Sequence, residues 1–147
     1  MGNLTLDAQI EVALSKIEDL ILEYMQVDDD QQISNGNVAI CIITTDGSIY
    51  GKMYGNDKPR LRQSYKIAWT KASQVWLTGV KTGDYEKMVF NKLVDENANG
   101  IEAPDLIGWQ GGQPLILKDG TRLSIGFSGF RGITDLEIVI KAFKHLI

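Results

Sequence analysis

Apolar positions recur along this chain with two different periods, and the switches between them lay out its elements. Leu6, Ile10, Ala13, Leu14, Ile17, Leu20, Ile21 and Tyr24 return every three or four residues. That spacing predicts one amphipathic helix over 6–25, with Thr5 as its cap and Asp7 in its first turn. Such a stripe packs on the domain's own sheet or pairs with another helix. Residues 27–37 carry Asp28, Asp29 and Asp30, end in Asn35-Gly36, and read as a solvated loop. The period then changes. Residues 38–44 are apolar and β-branched, the mark of a buried strand. Thr45-Asp46-Gly47 turns the chain into a second strand, where Ser48, Tyr50, Lys52 and Tyr54 alternate with Ile49, Gly51 and Met53. After a charged loop over 55–62, a helix is predicted from Ser64, as its cap, to about Leu77, with Gly79 as its stop. A short helix over 82–93 follows, with Asp84 and Glu86 in its first turn.

The last third returns to strands. Residues 106–110 read as one strand, and the Gly111-Gly112-Gln113-Pro114 turn leads into a second over 115–117. Asp119-Gly120 is a hairpin signal, and the return strand over 123–127 ends in Ser128-Gly129. Glycines 111, 112, 126 and 129 let backbone approach backbone or a ligand. A final helix over 135–147, capped by Thr134 or Asp135, aligns Leu136, Val139, Ile140, Phe143 and Leu146. The order is helix, two strands, helix, short helix, three strands, helix. It predicts an α+β fold with a mostly antiparallel sheet of about five strands and helices packed on it. No repeat or linker divides the chain, so 1–147 reads as a single domain.

Composition narrows the function. A net charge of −4, with no basic block, argues against nucleic acid. The N-terminus has no basic region before an apolar core, and no stretch is long and apolar enough to span a membrane. The single cysteine, Cys41, excludes an intrachain disulfide, and the expected location is the cytoplasm.

The usual catalytic constellations are missing. His145 is the only histidine and stands third from the end, so neither a Ser-His-Asp triad nor a Cys/His zinc cluster is expected. Ser128 lies in Gly126-Phe127-Ser128-Gly129-Phe130, which lacks the last glycine of a nucleophile elbow. Cys41 sits in an apolar strand and reads as an inert core thiol. Asp95-x-Asn97-x-Asn99-Gly100 matches the first half of a calcium loop, but Leu106 stands where a bidentate Glu is needed and Pro104 interrupts the exit. Lys71 is the exception to bland patterning. It falls on a helix face otherwise made of Ser64, Ala68, Ala72 and Val75, so it must snorkel, pair with a carboxylate or meet an anionic ligand. Trp69 and Trp76 share another flank, which suits core or a subunit interface.

Several of these residues, in order, resemble the GlcG/HbpS-like family. They are Leu4-Thr5-Leu6, Asp46-Gly47, Ser64, Ala68-Trp69-Thr70-Lys71-Ala72, Thr82, Gly111-Gly112-Gln113-Pro114, Asp119-Gly120, Ile125-Gly126-Phe127-Ser128-Gly129 and Asp135. The resemblance implies a profilin-like, five-stranded antiparallel sheet flanked by helices, and a homo-oligomer. It implies a ligand site using Ser64, Lys71, Thr82, the amides of Gly111 and Gly112, and Ser128, with Trp109, Tyr50 and Tyr54 as apolar walls. It also implies small-molecule binding with heme or another tetrapyrrole as the named candidate, one branch being the C-terminal domain of PduO-type adenosyltransferases. The sequence departs from the family pattern in having no histidine in the N-terminal helix or near the sheet to ligate iron. Thr44 replaces an Asp, and Asn56-Asp57-Lys58 replaces Arg-x-Asp. The cofactor therefore stays unknown. Two alternatives remain open. One is a cofactor-free isomerase, cyclase or lyase acting on a small carbonyl or carboxylate metabolite, with Lys71 as acid, base or anchor. The other is a non-catalytic oligomeric interaction module.

Overall fold

The computed structural model describes residues 4–95, 99–101 and 106–147. Asn97 and Pro104 of the calcium-like stretch, and Met1-Gly2-Asn3, lie outside these residues. The first helix, α1 (Leu6–Tyr24), is as its periodicity predicts, with the Thr5 hydroxyl accepting the Ala8 N–H at 3.2 Å. The acidic stretch after it is not a solvated loop but a short helix, α2 (Asp28–Ser34). Asp28, Asp29 and Asp30 occupy its first turn, where the helix dipole favours carboxylates, and Asn35 closes it at φ 45°. Strands β1 (Val38–Thr44) and β2 (Ile49–Tyr54) follow, joined through Gly47 at φ 88°.

Helix α3 (Lys58–Thr78) begins seven residues before the position expected. Asp57, not Ser64, is its cap, accepting the Arg60 N–H at 3.2 Å, and Pro59 fits the first turn because no N–H is needed there. Ser64 lies inside the helix and donates its hydroxyl to the Asn37 carbonyl at 3.1 Å. After α4 (Thr82–Phe90) come β3 (Gly112–Ile116), β4 (Arg122–Ser128) and α5 (Gly132–Phe143). Helix α5 starts three residues earlier than its pattern suggested and ends four earlier, which leaves His145 beyond it.

All pairings in the sheet are antiparallel, in the order β2-β1-β4-β3. Among the described residues there are four strands rather than five, because residues 106–110 are irregular. Side chains satisfy their backbone groups instead of a neighbouring strand. Gln74 brackets Ile107, donating to its carbonyl at 2.8 Å and accepting its N–H at 2.9 Å, and the Thr82 hydroxyl donates to the Trp109 carbonyl at 2.6 Å.

Alternation along β1 divides the core. Val38, Ile40 and Ile42 face α1 and α5 with Leu123, Ile125 and Phe127. Ala39, Cys41 and Ile43 face α3 with Ala68 and Ala72. A central strand covered on both sides reads as a continuous apolar run, which is what 38–44 is. The α3 face is built from small residues. Register places Gly51, Cys41, Gly126 and Gly112 in one row across all four strands. A Cβ at Gly51 would meet the Tyr65 ring at 2.7 Å, one at Gly112 the Thr82 methyl at 2.2 Å, and one at Gly126 the Ala68 carbonyl at 2.0 Å. This row is a trough, and α3 lies in it.

Candidate functional site

Because α3 lies so close to the sheet, the polar stripe on its flank runs beside the end of β4 and the start of α5. Arg60, Ser64, Ile67 and Lys71 follow helical spacing along that flank. Between them and Ser128, Phe130 and Asp135 is a cavity of about 600 Å³. Trp109 and Gln110 close one side of it, and Ile33 of α2 borders it near Arg60. The size is that of a small-molecule site.

Lys71 and Asp135 form the floor. Lys71 is 1% exposed, and its Nζ donates to the Phe127 carbonyl at 2.8 Å and to Asp135 Oδ2 at 3.3 Å. Asp135 Oδ1 accepts the Phe130 N–H at 2.9 Å. Burial pushes the Asp135 carboxyl up to about 7, against the pull of the Lys71 charge and the Phe130 hydrogen bond. Burial also lowers the Lys71 ammonium, and Asp135 opposes that. The same desolvation thus works against both charges. A buried acid–base pair of this kind facing a cavity is a functional-site signature.

Gly111 makes room for this pair. It has φ +112°, and a Cβ there would stand 2.7 Å from the Phe127 carbonyl and 3.0 Å from Lys71 Nζ. Only glycine suits both demands.

Four of the residues singled out from sequence, Ser64, Lys71, Trp109 and Ser128, line this cavity. Thr82, Gly111 and Gly112 instead line a second cavity of about 360 Å³, on the far side of the Gly108–Gln110 segment. Tyr50 and Tyr54 are not walls of the site. They share the sheet face of Ile42 and Val38, where the Tyr50 hydroxyl donates to Asp7 at 2.5 Å and the Tyr54 hydroxyl to the Leu14 carbonyl at 3.0 Å. Their alternation in β2 set them on one face, but not on this one. Among the described residues, no cluster of His, Cys, Asp or Glu could hold a metal ion, and no helix is long and apolar enough to cross a membrane.

Sequence reasoning gave Asp135 a capping role and a place in the family pattern but not in the ligand site, and it missed Arg60 and Asp30. Asp30 is 1% exposed and holds the site together from behind. Its Oδ1 accepts the backbone N–H and Nε of Arg131, both at 3.1 Å, and its Oδ2 accepts the Thr134 hydroxyl at 2.9 Å. α5 has no side-chain cap of its own, so Asp30, from α2, supplies the missing acceptor at its first turn. Burial raises the Asp30 carboxyl, but the bonds from Arg131 and Thr134 outweigh burial and hold it below the ordinary carboxylate range. Its stabilisation is present above the unfolded value and is lost as pH falls through the folded one. Asp30→Ala is expected to cost about 2 kcal/mol, because Thr134 and Arg131 lose a buried acceptor. Urea unfolding at pH 7 measures this, and the gap from wild type should narrow toward pH 3.

No protein-family model matches the chain, and no curated protein matches its sequence. Solved structures do. A double mutant of Streptomyces reticuli HbpS is 19% identical, superposes with a TM-score of 0.62, and matches 100% of this chain and 89% of its own. Klebsiella pneumoniae protein ORFY is 17% identical, with a TM-score of 0.68 over 98% of this chain and 92% of its own. PduOC in its heme complex is 17% identical, with a TM-score of 0.64 over 99% of this chain and 96% of its own. The sheet order, the helices on its two faces and these superpositions agree that the chain has the GlcG/HbpS-like fold.

Proposed function

We propose that this is a small-molecule binding protein whose ligand occupies the cavity over Lys71 and Asp135. The observation that carries the reading is the buried Lys71–Asp135 pair at the floor of a cavity of about 600 Å³. Ser64, Ser128 and Trp109 around it supply the mixture of polar groups and an aromatic face that orients organic ligands.

Heme is the candidate that the likeness to the PduOC heme complex supports. The lining does not fit its iron. Among the described residues no His, Cys, Met or Tyr borders the cavity, and the Lys71 amine is already given to Phe127 and Asp135. The site thus suits a molecule read by hydrogen bonds and charge rather than one held by metal ligation. A second reading, a cofactor-free acid–base enzyme, is favoured by the Asp135 carboxyl at about 7, close to the working pH of a proton-transfer group.

Gly132→Leu tests the site. A Cβ at Gly132 meets nothing closer than Gln110 at 3.6 Å, so the variant folds while its side chain fills the cavity wall. Hemin, small carboxylates and carbonyl compounds are titrated into both proteins by calorimetry, with absorbance followed for hemin. Saturable one-to-one binding of an organic compound, lost in Gly132→Leu, is the expected result. A sharp, stoichiometric Soret shift that survives Gly132→Leu would overturn it. Deuterium uptake from solvent into a carbonyl compound bound by wild type would select the enzyme reading, and binding without uptake would leave the binding reading alone.

A further inference from the structure

The ionisable groups that line the cavity are Arg60, Lys71 and Asp135. Lys71 and Asp135 neutralise each other across 3.3 Å. Arg60 has no such partner: among the described residues no carboxylate oxygen lies within 4.0 Å of its guanidinium. One of its terminal nitrogens donates to the Ile33 carbonyl at 2.8 Å, which pins the group where α2 meets α3 and leaves its other N–H donors unused by that bond. The cavity is therefore cationic at one end and neutral, though polar, at the other.

The placement of Arg60 also runs against the helix dipole. It sits in the first turn of α3, beside Lys58, where the Asp57 cap accepts its backbone N–H at 3.2 Å but forms no ion pair with its guanidinium. The N-terminal end of a helix carries partial positive charge, so a cation there is disfavoured. Broken local rules of this kind concentrate where function requires them.

Geometry sets the length of what fits. Arg60 and Lys71 leave one stripe of α3 eleven residues apart, about 16 Å along the axis at ~1.5 Å per residue. Ile67 lies between them and Trp109 across from them, both less polar than the ends. We propose that the ligand is an elongated organic carboxylate, its carboxylate held by the Arg60 fork at the outer end, its apolar body along Ile67 and Trp109, and a second polar group at the Lys71–Asp135 floor. Arg60 is then the residue that selects the ligand class. The inference rests on the binding reading above and adds charge and orientation to it. A guanidinium suits this task better than an ammonium, because its planar fork accepts both carboxylate oxygens.

Matched pairs of probes test it: 2-naphthoate with 2-naphthamide, and indole-3-acetate with indole-3-acetamide. Each pair differs in charge and hardly in shape. Affinities are measured by ligand-detected NMR on wild type, Arg60→Gln and Gly132→Leu. Wild type is expected to bind the acids about tenfold tighter than the amides, the worth of a charge-assisted bond at a half-buried site. Arg60→Gln should bring that ratio to about one while the amides bind as before, and Gly132→Leu should lose both members of each pair. If the ratio persists in Arg60→Gln, or wild type binds both members equally well, the role of Arg60 is overturned and the cavity reading survives. If neither member binds wild type at millimolar concentration, both fall.

Discussion

Gly126→Ala is expected to lose about 3 kcal/mol of stability, the upper range for overpacking a filled site, and to lower the melting temperature by about 10 °C. The added methyl would stand 2.0 Å from the Ala68 carbonyl and 2.6 Å from the Ala72 amide nitrogen. Both are backbone atoms of α3, so no rotamer change relieves the clash; the helix itself must retreat from the sheet. Retreat opens the small-residue layer of Ala39, Cys41, Ala68 and Ala72 and moves Lys71, one residue from Ala72, away from Phe127 and Asp135. The variant should therefore lose ligand binding as well as stability. Gly132→Ala is the matched control. Its Cβ meets only ordinary contacts near 3.6 Å, at a helical backbone position, and its stability should stay within about 1 kcal/mol of wild type. Thermal unfolding of the two variants side by side decides the matter. Equal melting temperatures would mean that α3 is not seated in the trough.

That trough shows what the sequence could and could not express. Glycine at 112 and 126 was legible as a demand for close approach, and the buried β1 was legible from its β-branched run. The approach partners were not, because they depend on register. Only the pairing of β1 with β2 and β4, and of β4 with β3, puts Gly51, Cys41, Gly126 and Gly112 in one row. Period-2 alternation likewise told that Tyr50 and Tyr54 share a face, but which face meets α3 is a property of the folded sheet. Residues 106–110 failed as a strand for a related reason. Their apolar content suited a strand, yet their partners are side chains of Gln74 and Thr82, more than twenty residues away in sequence.

The site was half legible. Lys71 on a small apolar helix face had to snorkel, pair with a carboxylate or meet an anionic ligand, and a carboxylate is what it has. Asp135 was hidden by its position near a helix start, where aspartate is ordinary. Asp30 was hidden by its neighbours, since two exposed aspartates beside it, Asp28 and Asp29, make the run look hydrated. Arg60 fell in a stretch that composition marks as a charged loop, and only the Asp57 cap and Pro59 show that the helix has already begun.

Removing either partner of the Lys71–Asp135 pair is expected to cost about 3–5 kcal/mol, because the survivor is left as an uncompensated buried charge. The two losses should depend on pH in opposite directions. In Lys71→Met, Asp135 loses the cation that held its carboxyl down, so burial raises it beyond about 7. The folded state then binds a proton that the unfolded chain, near the ordinary value of ~3.9, releases. Stability of this variant falls as pH rises between those two values, and the deficit is greater at pH 8 than at pH 5. In Asp135→Asn, Lys71 loses the partner that opposed burial, and its ammonium is lowered further. The unfolded chain holds a proton up to ~10.4 that the folded state releases at lower pH, so stability rises with pH between those two values and the deficit shrinks as pH rises through them. Lys71→Met with Asp135→Asn removes both charges and should recover much of the loss, with little slope between pH 5 and pH 8. Urea unfolding of the three variants at the two pH values completes a double-mutant cycle. Parallel slopes for the single variants would mean that the pair does not share its proton. Opposite slopes, with ligand binding lost in all three, would tie the proton to the cavity that the pair faces.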